Sequence, residues 1–399
     1  MYCSEEDILR IRENINIKDY ISRKVELTKN GEFYIGKCPF HKSKVSSFIV
    51  DEKNQTYGCF ECGRAGDIFD FIMKYYKKSF SDAVCRVAMM TGIEIKKDIL
   101  DKQYYRRQKQ IIDINRAAKE FYQKSLYANN SALDYMKNRN LETNTLEKFG
   151  IGYADSAVHI YDELIKQGFK EEDIMLSGLV AGKDKYGNVL KEKERYDKFY
   201  NRIIFPILNE NDVVIGFGGR IIGDKKPKYI NSSETIVYNK SSNLFGLNVA
   251  RHSSLDYFLL CEGFMDVISM HQAGFDNAIA SLGTSLTMSQ IIKLSKYKKK
   301  VILTYDSDEP GLKAAKRAIT MLESCDMEIK VLDLNPYKDP DEFIGKLGNT
   351  KFEKRINEAE KAYPWCIKNV MKSEGLSFEE KIGDIADIFE KQYQMKEVL

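Results

Sequence analysis

Four residues constrain this chain more than any others: Cys38, His41, Cys59 and Cys62. They form two pairs, Cys38-Pro39-Phe40-His41 and Cys59-Phe60-Glu61-Cys62-Gly63, with two residues inside each pair. Each pair can chelate from one tight turn, and two such turns complete the tetrahedral set that zinc takes. Between them Ser47-Phe48-Ile49-Val50 reads as a strand, Asp51-Glu52-Lys53-Asn54 as a turn and Gln55-Thr56-Tyr57 as the returning strand. The segment is therefore predicted to be a zinc ribbon, a hairpin with a ligand pair at each shoulder. The competing view, unrelated buried thiols and a core histidine, needs this spacing to arise by chance in a chain with only four His. One His among the ligands favours a single zinc over iron, and a site filled by four protein ligands is structural. Ribbons of this kind are commoner in nucleic-acid machinery than in metabolic enzymes.

At 399 residues the chain has length for two or three domains. A composition 43% hydrophobic and 30% charged is that of a soluble globular protein. No apolar run reaches bilayer-spanning length and Met1-Tyr2-Cys3-Ser4-Glu5-Glu6-Asp7 is no signal peptide, so no membrane partner and a reducing cytoplasm are expected. Cys85, Cys261, Cys325 and Cys366 stand among apolar neighbours and read as inert core residues. A net charge of +3, from 62 basic and 59 acidic residues, excludes a globally basic nucleic-acid binder; any such footprint must be local.

The periodicity predicts a helix from residue 5 that runs into a strand at Val25-Glu26-Leu27. After the ribbon, helical spacing returns at Ile68, Phe71, Ile72 and Tyr75, and again at Ala83, Val84, Val87 and Ala88. These residues bound a first domain, 1–97. The polar stretch 98–110 reads as a linker or the exposed start of the next helix. Residues 111–242 are mixed, with helices at 112–127 and 132–137 and strands at Arg202–Ile207 and Val213–Phe217. From Leu255 short apolar strands alternate with helices, which predicts a parallel α/β sheet covered on both faces within 243–342. A helical tail, 343–399, completes a multi-domain α+β chain.

Each strand of the parallel section ends in carboxylates. Leu259-Leu260-Cys261 leads to Glu262 and Asp266, Val301–Tyr305 leads to Asp306 and Asp308, and Val331–Leu334 precedes Asp339 and Asp341. Strand carboxyl ends form the ligand crevice of open α/β sheets, so these acids are expected to converge there. Such a cluster repels itself unless cations intervene, and hard oxygen ligands suit Mg²⁺ or Mn²⁺. Acids after strands also serve as turn formers and helix caps. For Asp266 the two readings balance, whereas Glu262 with Asp306 and Asp308 favours metal.

Glu262-Gly263 followed by Asp306-Ser307-Asp308 resembles the Toprim domain of primases, type IA and II topoisomerases and some nucleases, and Gly283-Thr284 is similar to a Gly-Thr of the primase version. Joined to the N-terminal ribbon, the pattern resembles bacterial DnaG-type DNA primases. Arg202–Ile207, Phe217-Gly218-Gly219-Arg220, Pro227–Asn231, Glu234-Thr235 and Lys240 are similar to that family's basic subdomain in order and spacing. The likeness runs from about residue 5 to 345. Departures are Tyr200-Asn201-Arg202, where the family has Arg-x-Arg, and Val45-Ser46, where it often has Thr-Pro.

The resemblance implies a template-directed RNA polymerase that makes short primers from ribonucleoside triphosphates on single-stranded DNA. Glu262, Asp306 and Asp308 would be catalytic and hold Mg²⁺ or Mn²⁺, with Asp266, Asp339 and Asp341 as further ligands. Lys44, Arg202, Arg220, Lys228, Tyr229, Asn231 and Lys240 would hold nucleotide, RNA primer or template. The sequence stops at Leu399 without the family's C-terminal helicase-interaction domain. A replicative helicase is therefore carried as a partner lacking its usual dock, and the chain is expected to be a monomer. Two other readings were weighed: a Toprim nuclease or topoisomerase, for which no nucleophilic Tyr on a separate domain stands out, and a non-catalytic single-strand-binding accessory protein, against which the intact acids argue.

Overall fold

The computed structural model describes residues 8, 10–12, 14–43, 46–92, 97–181, 196–223, 225–283, 285–323, 325, 327–372, 377 and 379–386, with side chains from 106 onward in the helix that begins at Lys97. Lys44, Val45 and Thr284 lie outside the described residues.

The ribbon is the middle of a five-stranded antiparallel sheet in sequential order: β1 (Leu27–Asn30), β2 (Phe33–Gly36), β3 (Phe48–Asp51), β4 (Thr56–Cys59) and β5 (Ala65–Gly66). The predicted β3–β4 hairpin is present, its turn closed by Asp51, whose carboxylate accepts from the Asn54 backbone N–H and Nδ2. The predicted leading helix is broken: Ile8, Arg10, Ile11 and Arg12 are helical, and a turn at Asn14 and Ile15 precedes the second segment. Asn16 caps a helix over Ile17–Ser22, accepting from the Asp19 N–H, and the strand begins at Leu27 rather than Val25. Phe48, Tyr57 and Phe71 are fully buried and meet one another and Phe40 at centroid separations of 5.3–6.2 Å, so the aromatics are the small domain's core. Two helices close it, Ile68–Tyr76 and Phe80–Thr91, each opened by a capping box (Asp67 with Asp70, Ser79 with Asp82).

Residues 98–110 belong to one 32-residue helix, Lys97–Ala128, so the connection out of the first domain is helical. That helix lies against an antiparallel sheet of order β11-β10-β9-β6, formed by β6 (Gly152–Ala154), β9 (Arg202–Leu208), β10 (Val214–Ile221) and β11 (Tyr229–Asn231), while β7 (Val180–Ala181) and β8 (Tyr196–Asp197) make a separate two-residue ladder. Gly152 packs on Tyr122 so closely that a Cβ there would sit 2.5 Å from the Tyr122 Cβ.

The third sheet has the order β13-β12-β14-β15-β16, with β12 (Tyr257–Cys261), β13 (Ala278–Ala280), β14 (Lys300–Leu303) and β15 (Glu328–Val331) parallel. Its apolar residues are buried beneath helices Phe264–Gln272, Met288–Ser295 and Glu309–Glu323. Cys261, Cys325 and Cys366 are core residues as expected, and Cys85 is half-buried. The tail is not wholly helical. After Pro340–Leu347 and Asn349–Asn357, Glu360–Lys361 (β16) pairs antiparallel with β15 before helix Ala362–Lys372. Two residues are too few to show a strand period, which is why the pattern hid it.

Two close approaches join the three parts. Gly58 on β4 faces Ile292 so tightly that any side chain there would overlap it, which seats the ribbon on helix Met288–Ser295. Gly218 on β10 faces Phe264, where a Cβ would come within 2.4 Å of the ring. Gly218→Ala should therefore lower stability by about 1–3 kcal/mol, read as a fall in the urea midpoint with circular dichroism; an unchanged midpoint would show that the ring gives way freely.

His271 titrates inside this core. Its Nε2 lies 2.9 Å from the Ala278 carbonyl, and burial, together with the more distant Lys148 charge and against Asp276, pushes its pKa down to about 4. A base with a depressed folded pKa adds stability above its unfolded value of about 6.5, and that contribution is lost as pH falls toward the folded value. Between pH 7 and 5 the wild type should thus lose about 2 kcal/mol more than His271→Gln. Parallel pH profiles of the two proteins in urea unfolding would exclude the effect.

Candidate active site

The four predicted zinc ligands meet. Cys38, His41, Cys59 and Cys62 offer ligand atoms that all lie within 4.8 Å of one another. The Cys38 and Cys62 sulfurs are 3.8 Å apart, the edge of a tetrahedron whose metal–sulfur bonds are about 2.3 Å. His41 Nε2 pairs with Glu61 Oε2 at 2.8 Å, while its buried Nδ1 has no partner and is the nitrogen free to bind metal. Glu61 also accepts from Ser43 Oγ at 2.5 Å, so the carboxylate that orients the imidazole is itself held. The donor set fits zinc. Arg64 donates to the Phe40 carbonyl and covers its ring, and Phe60 packs toward helix Met288–Ser295 rather than around the knuckle alone. Lys42 is exposed. Stripping zinc with a chelator under reducing conditions should release one ion per chain and abolish amide protection across residues 36–63, while β12–β15 keep theirs in hydrogen exchange. Retained protection in the ribbon would overturn the structural role.

The carboxylates line the other centre. β12 and β14 are neighbours, and the chain leaves β12 for β13 on one side and reaches β14 on the other, so a crevice opens at their carboxyl ends. Glu262 and Asp306 stand on its two lips, the Asp306 N–H donating to Glu262 Oε1 at 3.2 Å. Burial raises the pKa of both, and each feels neighbouring carboxylates as well. Lys338 Nζ lies 3.3 Å from Asp306 Oδ2 and 3.5 Å from Asp308 Oδ2, so an ammonium stands where the carboxylates call for positive charge. A hard cation therefore fits Glu262, Asp306 and Asp308 by donor type and by the charge already drawn there. Among the described residues, however, only the zinc set brings three or more ligand atoms within 4.8 Å of one another.

The remaining acids also act as caps and ion-pair partners. Asp266 Oδ2 accepts from the Gly263 N–H at 3.1 Å, opening helix Phe264–Gln272. It is buried, and that burial, with the charges of Asp339, Asp306 and Asp341, raises its pKa far above the usual carboxylate range. Asp339 caps Pro340–Leu347 through the Glu342 N–H, and Asp308 accepts from the Gly311 N–H. Asp341 takes the Ser269 hydroxyl at 2.5 Å and faces Arg139 at 3.7 Å.

The basic residues divide in two. Arg202 is buried and donates to the carbonyls of Gly219, Lys228 and Pro227 at 3.0–3.3 Å, bracing the turn before β11. Expected to hold nucleotide or template, it is the first residue of the seven-residue β9, with its guanidinium turned onto this backbone. Arg220 donates to Tyr229 Oη at 2.6 Å and lies over the Tyr229 and Tyr135 rings. Lys228 is exposed, and its pKa is lowered first by the Arg220 charge, with burial, Arg139 and Lys338 adding to it. Asn231 Nδ2 donates to the Leu282 carbonyl, tying β11 to the loop after β13, and its buried Oδ1 has no partner. Lys240 sits in a single turn, Lys240–Ser242, whose first carbonyl accepts from Gln290. Burial, with the Lys240 charge added, pushes Lys198 down to about 8. Arg139, Lys198 and Lys338 were missed by the sequence reading. Lys338 adjoins the Asp339-Pro340-Asp341 triplet and could have been noted, whereas nothing in Lys137-Asn138-Arg139 marks Arg139.

A parallel sheet with acids at its switch point, a neighbouring antiparallel sheet bearing cations, and a seated zinc ribbon define a metal-dependent nucleic-acid enzyme class. Sequence profiles agree: the CHC2 zinc finger matches residues 3–103, the DNA primase catalytic core N-terminal domain 121–251, and a Toprim-like domain 259–344. A DNA primase of Clostridium acetobutylicum is 36% identical over 98% of this chain and 66% of that protein, so the chain spans less than two thirds of that relative's length. The DNA primase of Aquifex aeolicus is 34% identical over 96% of this chain and 75% of its own length. A crystal structure of the Aquifex aeolicus primase zinc-binding and RNA polymerase domains aligns with a TM-score of 0.64 at 31% identity, covering 98% of this chain and 94% of that one. A DnaG primase catalytic domain bound to single-stranded DNA aligns with a TM-score of 0.59 at 30% identity, over 67% of this chain and 84% of that one. The chain belongs to the DnaG-type DNA primase family.

Proposed function

We propose that this chain is a primase, a template-directed RNA polymerase that joins ribonucleotides on single-stranded DNA. The observation that carries the reading is the gathering of Glu262, Asp306 and Asp308 at one strand-end crevice with Lys338 on the two aspartates, while Arg139 pairs with Asp341 and Lys228 feels the charges of Lys338 and Asp339. A divalent ion held by those acids would supply, when bound, neutralisation of charge on the reacting phosphoryl group and a more acidic hydroxyl. In the reaction the primer 3′-hydroxyl attacks the α-phosphorus of the incoming ribonucleotide, and pyrophosphate leaves with the electron pair of the broken P–O bond. Arg220 and Lys228, with Lys240 and Lys198 further along the strip, orient the triphosphate as fixed positive charge. Tyr229 and Asn231 offer a ring face and an amide to a base or sugar.

Glu262 also lines a cleft of about 360 Å³ whose opposite wall carries Lys53 and Asn54 from the tip of the β3–β4 hairpin. The ribbon's place there supports a role in presenting template to the crevice. On this reading 1–97 engages template, 111–242 and 243–342 form the polymerase core, and the protein works as a cytoplasmic monomer. Single-stranded DNA, ribonucleoside triphosphates, an RNA primer and a replicative helicase are its partners. No helix among the described residues is long and apolar enough to cross a membrane.

The test is primer synthesis on single-stranded DNA with ribonucleotides and Mg²⁺ or Mn²⁺. Asp306→Ala should reduce the rate by about 10²-fold or more, and Cys59→Ala should weaken initiation more than extension of a supplied primer. A wild type that forms no dinucleotide with either metal refutes the polymerase reading, and an active Asp306→Ala refutes the site.

A further inference from the structure

We propose that Lys338 is an internal counter-ion that competes with the divalent ion for Asp306 and Asp308. The inference rests on the reading of those two acids as metal ligands, and it adds a residue that the metal-site motif does not contain. Lys338 Nζ spans Asp306 Oδ2 and Asp308 Oδ2 at 3.3 and 3.5 Å, and among the described residues no other cation forms an ion pair with either. The contact is built in by the backbone. The Ser307 N–H, between the two acids, donates to the Lys338 carbonyl at 2.8 Å, and the Lys338 N–H donates to Glu342 Oε2 at 2.8 Å. The Lys338 carbonyl is thus pinned to the acid loop and its N–H to the helix that follows, Pro340–Leu347, while its side chain remains 57% exposed and able to swing.

An oxygen that ligates Mg²⁺ or Mn²⁺ sits about 2.1 Å from it. An ammonium kept on the same oxygens would then lie beside a double positive charge, with a repulsion that low-dielectric surroundings amplify. Metal entry must therefore expel the ammonium. Lys228 already feels the charges of Lys338, Arg220 and Arg139, so the freed ammonium stays within a region of positive charge suited to an anionic ligand. Without metal, Lys338 keeps the two carboxylates from repelling each other and holds the acid loop in its working shape.

The experiment measures Mn²⁺ binding to the zinc-loaded full chain, without nucleotide, from the electron paramagnetic resonance signal of free Mn²⁺. Lys338→Gln should bind Mn²⁺ about tenfold more tightly than wild type. Lys338→Arg keeps the charge and should stay within about twofold, which separates charge from loop geometry. Asp308→Asn should lose the site in every background. If Asp308→Asn still binds Mn²⁺ as wild type does, the metal-site reading falls, and the Lys338 inference with it. If Asp308→Asn loses the ion but Lys338→Gln binds no better than wild type, or Lys338→Arg binds as tightly as Lys338→Gln, the inference alone is overturned.

Discussion

The contact of Phe264 with the antiparallel sheet fixes how the acid-bearing strand ends sit against the rest of the chain. Phe264 starts the helix that follows Glu262-Gly263, stacks on Phe205 at 5.2 Å with the rings 5° from parallel, meets Phe245 edge-on at 4.8 Å, and fills the space that Gly218 leaves open. One end of the contact, Gly218, is two residues from Arg220 and the other, Phe264, two residues from Glu262. A buried aromatic pair tolerates little displacement, because interiors are packed as densely as organic crystals. The distance between cations and carboxylates is therefore set by an apolar wedge rather than by their mutual attraction, which solvent would screen.

The charged groups gain from that division of labour. Arg202, Asp266 and Asp339 are spent on local structure: a guanidinium on three carbonyls, a carboxylate at a helix start and another at the next. Glu262, Asp306 and Asp308 are left facing one another, with burial raising the first two. Burial surrounds Glu262 and Asp306, and Lys338 brings positive charge to Asp306 and Asp308. The zinc site is separate in purpose. Its ligands are inward, its histidine is held by Glu61, and its hairpin reaches the crevice only through Lys53 and Asn54.

Much of this was legible in the residues. The ribbon ligands declared themselves because chelation by adjacent turns demands fixed spacing, and the four parallel strands because burial on both faces leaves runs such as Tyr257–Cys261 and Lys300–Leu303. The acids could be placed at one edge because parallel strands all end on the same side. Less legible were β1–β2, whose half-exposed residues carry no clear alternation, and β16, which is too short to carry a pattern. The inward direction of Arg202 was not legible, because a motif names a residue type without its direction, and in β9 that side chain is buried.

The sequence by itself determined the zinc tetrad, the order of the elements, and which carboxylates end which strands, since each follows from local spacing and strand period. Tertiary structure alone decided that Arg139, 123 residues before Glu262, comes to face Asp341. It also decided that Lys338 bridges Asp306 and Asp308, and that Gly58 seats the ribbon on Ile292. Those pairings depend on how sheets and helices pack in three dimensions. Packing is a property of many distant side chains together, so no single stretch of the chain encodes it.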